Sequence, residues 1–283
     1  MAAKSEPAER FKKFAESHNA LGILFLVLIF ILCITVHTSL YMEQQAEKDQ
    51  PAVFGFEAEV TSRGEWFDLS EITVKPYNER NELFMTYTAE RVPHIRFSAD
   101  IRQLTDSITR DARTPVETLQ AVYAYITAHY PWASALEYST IADIPAYVIK
   151  NRKGDCGQVA LLLITMLRYK GIPARWQSGW MTHPGEVNLH DWAEVYFEDT
   201  GWVPVDVSFG RGGPVAITPG RFFFMSGIDS YRLYINSDYS GAFYPPKEFP
   251  RSETVDFQRG EVESRHGNLY FDRWEYDMEI TYR

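Results

Sequence analysis

Cysteine is scarce in this sequence: a chain of 283 residues contains two, Cys33 and Cys156. Cys33 lies inside a long apolar run, where we expect it to be inert, so Cys156 has no partner for an intramolecular disulfide. A lone thiol is unusual in a protein on the oxidising side of a membrane, which is the side expected for the body of this chain. The sequence also lacks a glycine-rich phosphate-binding loop and an internal repeat, which argues against proteins that bind nucleotides through such a loop and against repeat proteins.

Positive charge is also in short supply. The net charge is −10, and because residues 1–40 contribute +1, the remaining residues carry −11. An acidic body with no basic cluster cannot offset phosphate charge, so nucleic acid is not expected as a partner. The composition is that of a globular protein, with 45% hydrophobic and 15% aromatic residues, and the length allows one large domain or two small ones.

One long uncharged run stands near the N-terminus, from Leu21 to Val36, and residues 40–42 extend its weakly polar end. Four Lys/Arg residues precede it and only Lys48 follows within twenty residues, which predicts a single-pass anchor over 21–42 with a cytoplasmic N-terminus. The body of the chain would then be periplasmic or extracellular. A cleaved signal peptide is the alternative, although no A-x-A site follows the run. A buried core helix is a third reading, which the one-sided charge flank disfavours.

Alternating apolar residues predict strands in both flanks of the chain. Residues 54–60 alternate with polar neighbours, 66–74 ("WFDLSEITV") is a second candidate, and every even residue of 274–282 is large and apolar. We expect the last strand to pack against the strands of 54–75. Helices are predicted from Ser98 to about Ile108 and from the capping box at Thr114 to about His129.

These patterns divide the chain into five predicted segments. They are a cytoplasmic N-terminus (1–20), the anchor (21–42), a strand-rich pre-domain (43–93), a catalytic domain (94–210) and a strand-rich C-terminal extension (211–283).

Cys156 lies at the start of a strongly apolar segment, "GDCGQVALLLITMLRYKGIPAR". Asp155 and Gln158 have the spacing of a capping box, so a buried helix is predicted from the first turn at Cys156 to about Lys170, ending at Gly171. The positive end of a helix stabilises a thiolate and lowers a thiol pKa from about 8.5 to roughly 3.5–7.5. The N–H groups of the same turn can receive an oxyanion. A small buried structural cysteine is the alternative.

Two strands downstream carry a histidine and a carboxylate. His190 and Trp192 share one face of the first strand, and Asp206 lies on the second strand. A connection of three or five residues around 198–200 would place Asp206 opposite Trp192, on the same face as His190 and diagonal to it. Thiol, imidazole and carboxylate are the three groups that nucleophilic catalysis needs.

The stretches "GDCGQVALLLITMLRYKGIPARWQSGW", "HDWAEVYF" and "GWVPVDVSFG" resemble the motifs of the transglutaminase-like superfamily, a branch of the papain-like folds, over about residues 114–209. The resemblance implies an α+β fold in which the cysteine helix packs on an antiparallel sheet. It implies Cys156 as nucleophile, His190 as general base and acid, and Asp206 as the group that orients the imidazole. With the predicted anchor, the chain resembles a membrane-anchored bacterial member. Candidates for the oxyanion or groove side chains are Trp132, Tyr138, Gln158 and Trp192.

The function expected from this resemblance is acyl transfer through a thioester on a protein or peptide of the cell envelope, with hydrolysis favoured over amine cross-linking. The alternative is a binding or assembly module that keeps the fold without turnover. No cofactor is expected. His183 with His190 shows no three-ligand metal motif, and calcium-loop spacing is absent around Asp229, Asn236 and Asp238. The oligomeric state is left open.

Overall fold

The helix that begins at Cys156 lies at the centre of the fold in the computed structural model. The structure describes residues 40–47, 50–72, 74–209, 216–218, 221–239, 243–249, 258, 260–270 and 272–282. The predicted N-terminal segment and residues 21–39 of the predicted anchor lie outside this set. None of the helices among the described residues has both the length and the hydropathy needed to cross a bilayer.

The chain divides into two units. One comprises residues 1–56 and 242–247, and the other comprises residues 57–241 and 248–283. All helices and strands discussed below belong to the second unit.

The α-helices of the described residues are α1 (Glu82–Thr88), α2 (Ala99–Ile108), α3 (Pro115–His129), α4 (Ile144–Asn151) and α5 (Cys156–Tyr169). Short 3₁₀ turns lie at Tyr138–Thr140 and Phe223–Met225. The predicted helix starts are confirmed. Ser98 caps α2 through its side chain, and Thr114 forms a capping box with Glu117 at the start of α3.

The central sheet has four strands, β2 (Ala174–His183), β3 (Glu186–Phe197), β4 (Gly201–Val205) and β8 (Arg232–Asn236). It is antiparallel, with the strand order β4–β3–β2–β8. Three two-stranded ladders accompany it: β1 (Glu65–Trp66) with β7 (Gly227–Ile228), β5 (Ala216–Thr218) with β6 (Arg221–Phe222), and β9 (Val262–Ser264) with β10 (Gly267–Leu269). The fold is therefore α+β, as predicted.

The turn between β3 and β4 has three residues, one of the two lengths expected to place Asp206 on the same face as His190. It consists of residues 198–200, with Asp199 at φ 64° and Gly201 at φ 90°, both in the left-handed region. Ala193 pairs with Val205, which brings Asp206 opposite Trp192 and diagonal to His190. The predicted register is therefore confirmed.

Helix α5 is apolar on all sides because it is enclosed on all sides. Residues 159–167 are fully buried, and the helix packs on α3 and α4 and on strands β2 and β3. Burying a leucine-sized side chain contributes about 1.5–3 kcal/mol relative to leaving it exposed. The burial of so many side chains therefore holds the helix, and with it Cys156 at its first position, in place.

The strands predicted for the outer flanks are wrong at two places. Residues 54–60 form no strand, and Phe56 is 55% exposed. Residues 274–282 also form no strand, although Trp274, Met278 and Ile280 are half-buried. An alternating apolar pattern predicts which face of a strand would be buried. It does not predict a neighbouring strand, and a strand needs one to satisfy its backbone hydrogen bonds.

Of the described residues in the second candidate strand, 66–74, only Trp66 lies in a strand, as the second residue of β1. The partner of β1 is β7 rather than the C-terminal segment. After Trp66 the chain turns, and Leu69 is buried in the core.

Candidate active site

Cys156 is the first residue of α5 and is held by a complete capping box. The Asp155 carboxylate accepts from the backbone N–H of Gln158 at 2.8 Å, and Gln158 Oε1 accepts from the Asp155 N–H at 3.2 Å. Tyr138 donates its hydroxyl to the same Asp155 oxygen at 2.6 Å. The first N–H groups of a helix have no intrahelical acceptor, so those of Cys156 and Gly157 point toward a position where an oxyanion could bind.

The thiol of Cys156 contacts a carboxylate that the sequence analysis did not include. Its Sγ atom donates to Asp191 Oδ2 at 3.5 Å, and the other oxygen of Asp191 accepts from Gln258 Nε2 at 2.7 Å. Asp191 and Gln258 are both buried, whereas Cys156 is partly exposed. The thiol therefore contacts a carboxylate that Gln258 holds in place.

This environment raises the pKa of Cys156 well above its ordinary value, because burial comes first among the causes and the carboxylates of Asp191 and Asp155 add to it. The expectation of a lowered thiol pKa is therefore wrong for the free protein. The helix end is positive, but the two carboxylates and the desolvation outweigh it, so Cys156 is a neutral thiol here.

Gly157 is required by the packing behind the thiol. A Cβ atom at this position would lie 2.6 Å from Trp176 Cη2 and 2.7 Å from Asp191 Oδ2, and still closer to the Tyr138 hydroxyl oxygen. Rigid groups from three other segments thus converge on the bare backbone of the first helical turn. The missing side chain makes room for the Asp191 carboxylate beside Cys156.

His190 and Asp206 form the pair predicted from the strand register. His190 Nε2 lies 2.6 Å from Asp206 Oδ2, and both residues are buried. An ionised carboxylate can only accept, so Nε2 carries the proton of this bond and Nδ1 is the ring nitrogen available to a substrate or thiol. The imidazole is fixed further by Trp192 and Phe209, whose ring centroids lie 6.0 and 5.2 Å from its own.

Asp206 is ionised although it is buried. Burial alone would raise the pKa of this carboxyl group, but the charge and hydrogen bond of His190, the charge of Arg232 and the N–H of Ser208 lower the pKa below its usual value. Its backbone is also held, since its N–H donates to the Phe224 carbonyl at 2.8 Å and its carbonyl accepts from the Tyr123 hydroxyl at 3.3 Å.

Cys156 contacts Asp191 of β3, and His190 is the preceding residue of the same strand. Asp191 is on the face of β3 that carries Ala193 and Val195 toward α5, and His190 is on the alternate face. Asp206 still lies close enough to Cys156 to contribute to its raised pKa. No hydrogen bond joins Cys156 to His190 among the described residues; the thiol proton is directed at Asp191 instead.

The four predicted groove residues separate into one surface residue and three buried ones. Trp132 is 66% exposed and forms a parallel bridge with Gly154, two residues before the thiol. Tyr138 and Gln158 are buried in the capping of α5, and the fully buried Trp192 supports the His190 ring. Trp132 is thus the member of this set that a bound molecule can contact directly.

Family resemblance is found over the segment that carries this geometry. Residues 102–207 match the model of the transglutaminase-like superfamily core. Residues 102–207 form a transglutaminase-like domain. The segment includes Cys156, His190 and Asp206, and it ends one residue beyond Asp206.

The chain is similar in sequence to a protein of Bacillus subtilis. Over 137 residues the chain is 26% identical to the uncharacterized protein YebA of Bacillus subtilis, a match that covers 42% of this chain and 18% of YebA. The chain therefore spans less than a fifth of that relative.

Solved structures that resemble the chain include a proposed cysteine protease of Cytophaga hutchinsonii, with 16% identity and a TM-score of 0.43 over 56% of this chain and 51% of that one. Another is the periplasmic domain of TgpA from Pseudomonas aeruginosa, with 21% identity and a TM-score of 0.38 over 45% and 47%. The chain spans about half the length of each.

Three residues around Cys156, His190 and Asp206 were missed by sequence reasoning. Asp191 could have been found, because it is a carboxylate on the strand face that otherwise carries Ala193, Val195 and Phe197 toward the core. Arg232 and Gln258 could not, because they lie in segments outside the quoted motifs and reach the site only through tertiary folding.

Proposed function

We propose that the protein is a cysteine acyl-transfer enzyme that acts on peptide or glutamine-type amides, with hydrolysis as the favoured outcome. The observation that supports it best is the buried 2.6 Å pair of His190 and Asp206, placed beside a helix that presents Cys156 at its first position. An ionised Asp206 fixes the imidazole tautomer that leaves Nδ1 free to accept a proton.

In the first half-reaction, the Cys156 thiol leaves Asp191 and transfers its proton to Nδ1 of His190. The thiolate attacks the carbonyl carbon of the amide, and the backbone N–H groups of Cys156 and Gly157 receive the oxyanion. The tetrahedral intermediate collapses when the C–N bond breaks and His190 returns the proton to the leaving amine. The products are a thioester on Cys156 and a free amine or ammonia.

In the second half-reaction, His190 takes a proton from water as the water oxygen attacks the thioester carbonyl. Breakage of the C–S bond releases a carboxylic acid, and the proton returns to the Cys156 sulfur. An amine in place of water would form a new amide, which is the cross-linking outcome. The acceptor decides between a peptidase or amidase and a protein-glutamine acyltransferase.

A second candidate function is a binding or assembly module without turnover. One observation favours it: the Cys156 thiol donates to Asp191 rather than to His190, and its neutral form is the stable one. Under this proposal the fold is kept as a scaffold, and substitution of Cys156 would leave partner binding intact.

The test incubates the protein and its Cys156→Ala variant with a mixture of peptides, with and without a primary amine, and detects products by mass spectrometry. Cleavage, deamidation and amine incorporation each change the mass differently. We expect the variant to lose activity by on the order of 10³-fold or more, with its thermal unfolding little changed. Equal product formation by both proteins, or no product and no trapped thioester with any peptide, would refute the enzyme proposal.

A further inference from the structure

Arg232 is a buried cation that stands directly behind the His190–Asp206 pair. Its side chain is 1% exposed, and it is the one residue of β8 that is fully buried. Its Nη2 atom lies 3.5 Å from Asp206 Oδ2, the oxygen that His190 also contacts, and 3.1 Å from Asp229 Oδ2. The guanidinium carbon is 4.3 Å from the centroid of the Phe209 ring, which also packs against His190.

The burial of Arg232 is unfavourable for the stability of the fold. Within the described part of the chain, the Nε and Nη1 atoms of Arg232 are buried and have no hydrogen-bond partner. Burying an incompletely paired guanidinium is costly, and an apolar residue of similar size often stabilises a core better. The position of the charge therefore calls for an electrostatic explanation.

The explanation lies in the two charge states that His190 must pass through. A general base begins neutral and becomes protonated, so the charge that it offers to Asp206 changes during each turnover. Arg232 places a fixed positive charge beside Asp206 in both of these states. When His190 is neutral, Arg232 is the cation that holds Asp206 as an ionised acceptor.

We propose that Arg232 is a positioning residue of the reaction proposed above, which keeps Asp206 ionised and oriented toward His190 while the imidazole gains and loses its proton. This inference rests on the proposed function. Other charged or titratable groups that face the Asp206–Arg232 pair from neighbouring elements are His190 on β3, His183 at the end of β2, Asp229 before β8, Cys156 on α5 and Tyr123 on α3.

Asp229 also forms an ion pair with Arg232, but it is the more solvent-exposed of the two carboxylates. Its side chain is 20% exposed, whereas that of Asp206 is 1% exposed, so the interaction with Asp206 is less screened. His183 Nε2 lies 3.5 Å from Asp229 Oδ1 and extends the network toward the end of β2. Loss of Arg232 would thus leave two carboxylates without their shared cation.

The test measures the rate at which iodoacetamide alkylates Cys156 as a function of pH, in the full chain and in the Arg232→Met and Arg232→Lys variants. Removing a fixed cation favours the protonated forms of its neighbours, so the Arg232→Met profile should move to higher pH, by about 1 unit. Arg232→Lys should restore most of the wild-type profile. Rates are normalised to the folded fraction, because Arg232→Met is also expected to be less stable.

The matched control is Arg175→Met. Arg175 also lies in the central sheet, pairs with Glu194 at 2.6 Å and stacks on Trp202, but it does not contact the catalytic pair. Its removal should leave the pH profile in place. An unshifted Arg232→Met profile, or equal shifts in both Met variants, would overturn the inference.

Failure of the proposed function would give a different result. If alkylation of the wild-type protein follows the titration of a single ordinary thiol, and His190→Ala does not alter it, then Cys156 and His190 are not coupled. That outcome removes the reaction itself, whereas a coupled wild-type profile that ignores Arg232 removes only the positioning role.

Discussion

His190 and Asp191 are neighbours on one strand, yet they belong to two different electrostatic environments. On the His190 face, an ionised carboxylate and a buried guanidinium surround the imidazole. On the Asp191 face, burial and carboxylates act on an uncharged thiol, which a hydrogen bond holds in place. The imidazole is therefore oriented in the free protein, while the thiol still carries its proton.

The two environments show that the position of the Cys156 thiol and its ionisation depend on different residues. The capping box of α5 and Gly157 position Cys156, but they do not ionise it. In the reaction proposed above, the thiol proton moves from the Asp191 side to the His190 side. Each of the following substitutions changes one side and leaves the other intact.

The largest effect is expected from Asp206→Asn. An asparagine can present its N–H₂ group to Nε2 of His190 and so favour the wrong imidazole tautomer, which should reduce kcat/KM by on the order of 10³- to 10⁴-fold. The pH dependence of Cys156 alkylation should also lose its imidazole-linked limb. Steady-state kinetics on the best peptide of the library and alkylation rates together measure the change.

The matched control for this substitution is Asp229→Asn, which also touches Arg232 but does not contact His190. Its effect on kcat/KM should be far smaller. A similar loss in both variants would mean that the carboxylates act through Arg232 or through folding, and not through the orientation of the imidazole.

A smaller effect, of opposite sign for the thiol, is expected from Asp191→Asn. Burial is the largest cause of the raised Cys156 pKa and Asp191 is the next, so removing this negative charge should lower the pKa of Cys156. A fall of one unit increases the thiolate fraction below the pKa about tenfold, and the alkylation rate at neutral pH with it.

Asp111→Asn serves as the control, since Asp111 is exposed and lies between α2 and α3. It removes the same formal charge without changing the surroundings of the thiol. If Asp191→Asn alkylates no faster than Asp111→Asn, the carboxylate does not hold Cys156 in its neutral form.

The His190 face could be predicted from the sequence, and the physical reason is local. Alternation along β3, a three-residue turn and the pairing of Ala193 with Val205 are enough to bring Asp206 to His190. The capping box fixed the start of α5 in the same way, because its partners are three residues apart.

The Asp191 face could be predicted only in part. Its contacts join residues far apart in the chain, as in the bond from Gln258 to Asp191 across 67 positions, and no periodicity encodes such a pairing. The direction of the Cys156 pKa shift was predicted wrongly for the same reason. A helix end is visible in the sequence, whereas the burial and the second carboxylate that outweigh it arise from tertiary packing.

The smallest effect is expected from Gln258→Ala. Gln258 donates Nε2 to Asp191 at 2.7 Å and its backbone carbonyl accepts from Trp180 Nε1 at 2.9 Å, so the residue braces the carboxylate that holds the thiol. Its Oε1 atom is buried without a hydrogen-bond partner among the described residues. Removing the side chain relieves one unsatisfied carbonyl but takes a hydrogen bond from the buried Asp191 carboxylate, so a net loss of stability on the order of 1 kcal/mol is expected.

The substitution should nevertheless loosen Asp191 and open a path to Cys156, because the carboxamide that it removes is buried against that carboxylate. We expect alkylation of Cys156 to become faster by less than about tenfold, which corresponds to under 1.4 kcal/mol. Gln103→Ala on the exposed side of α2 is the control. An alkylation rate equal to that of the control would mean that Gln258 does not restrain the nucleophile. A rate raised as far as in Asp191→Asn would mean instead that Asp191 depends on Gln258 for its whole effect on the thiol.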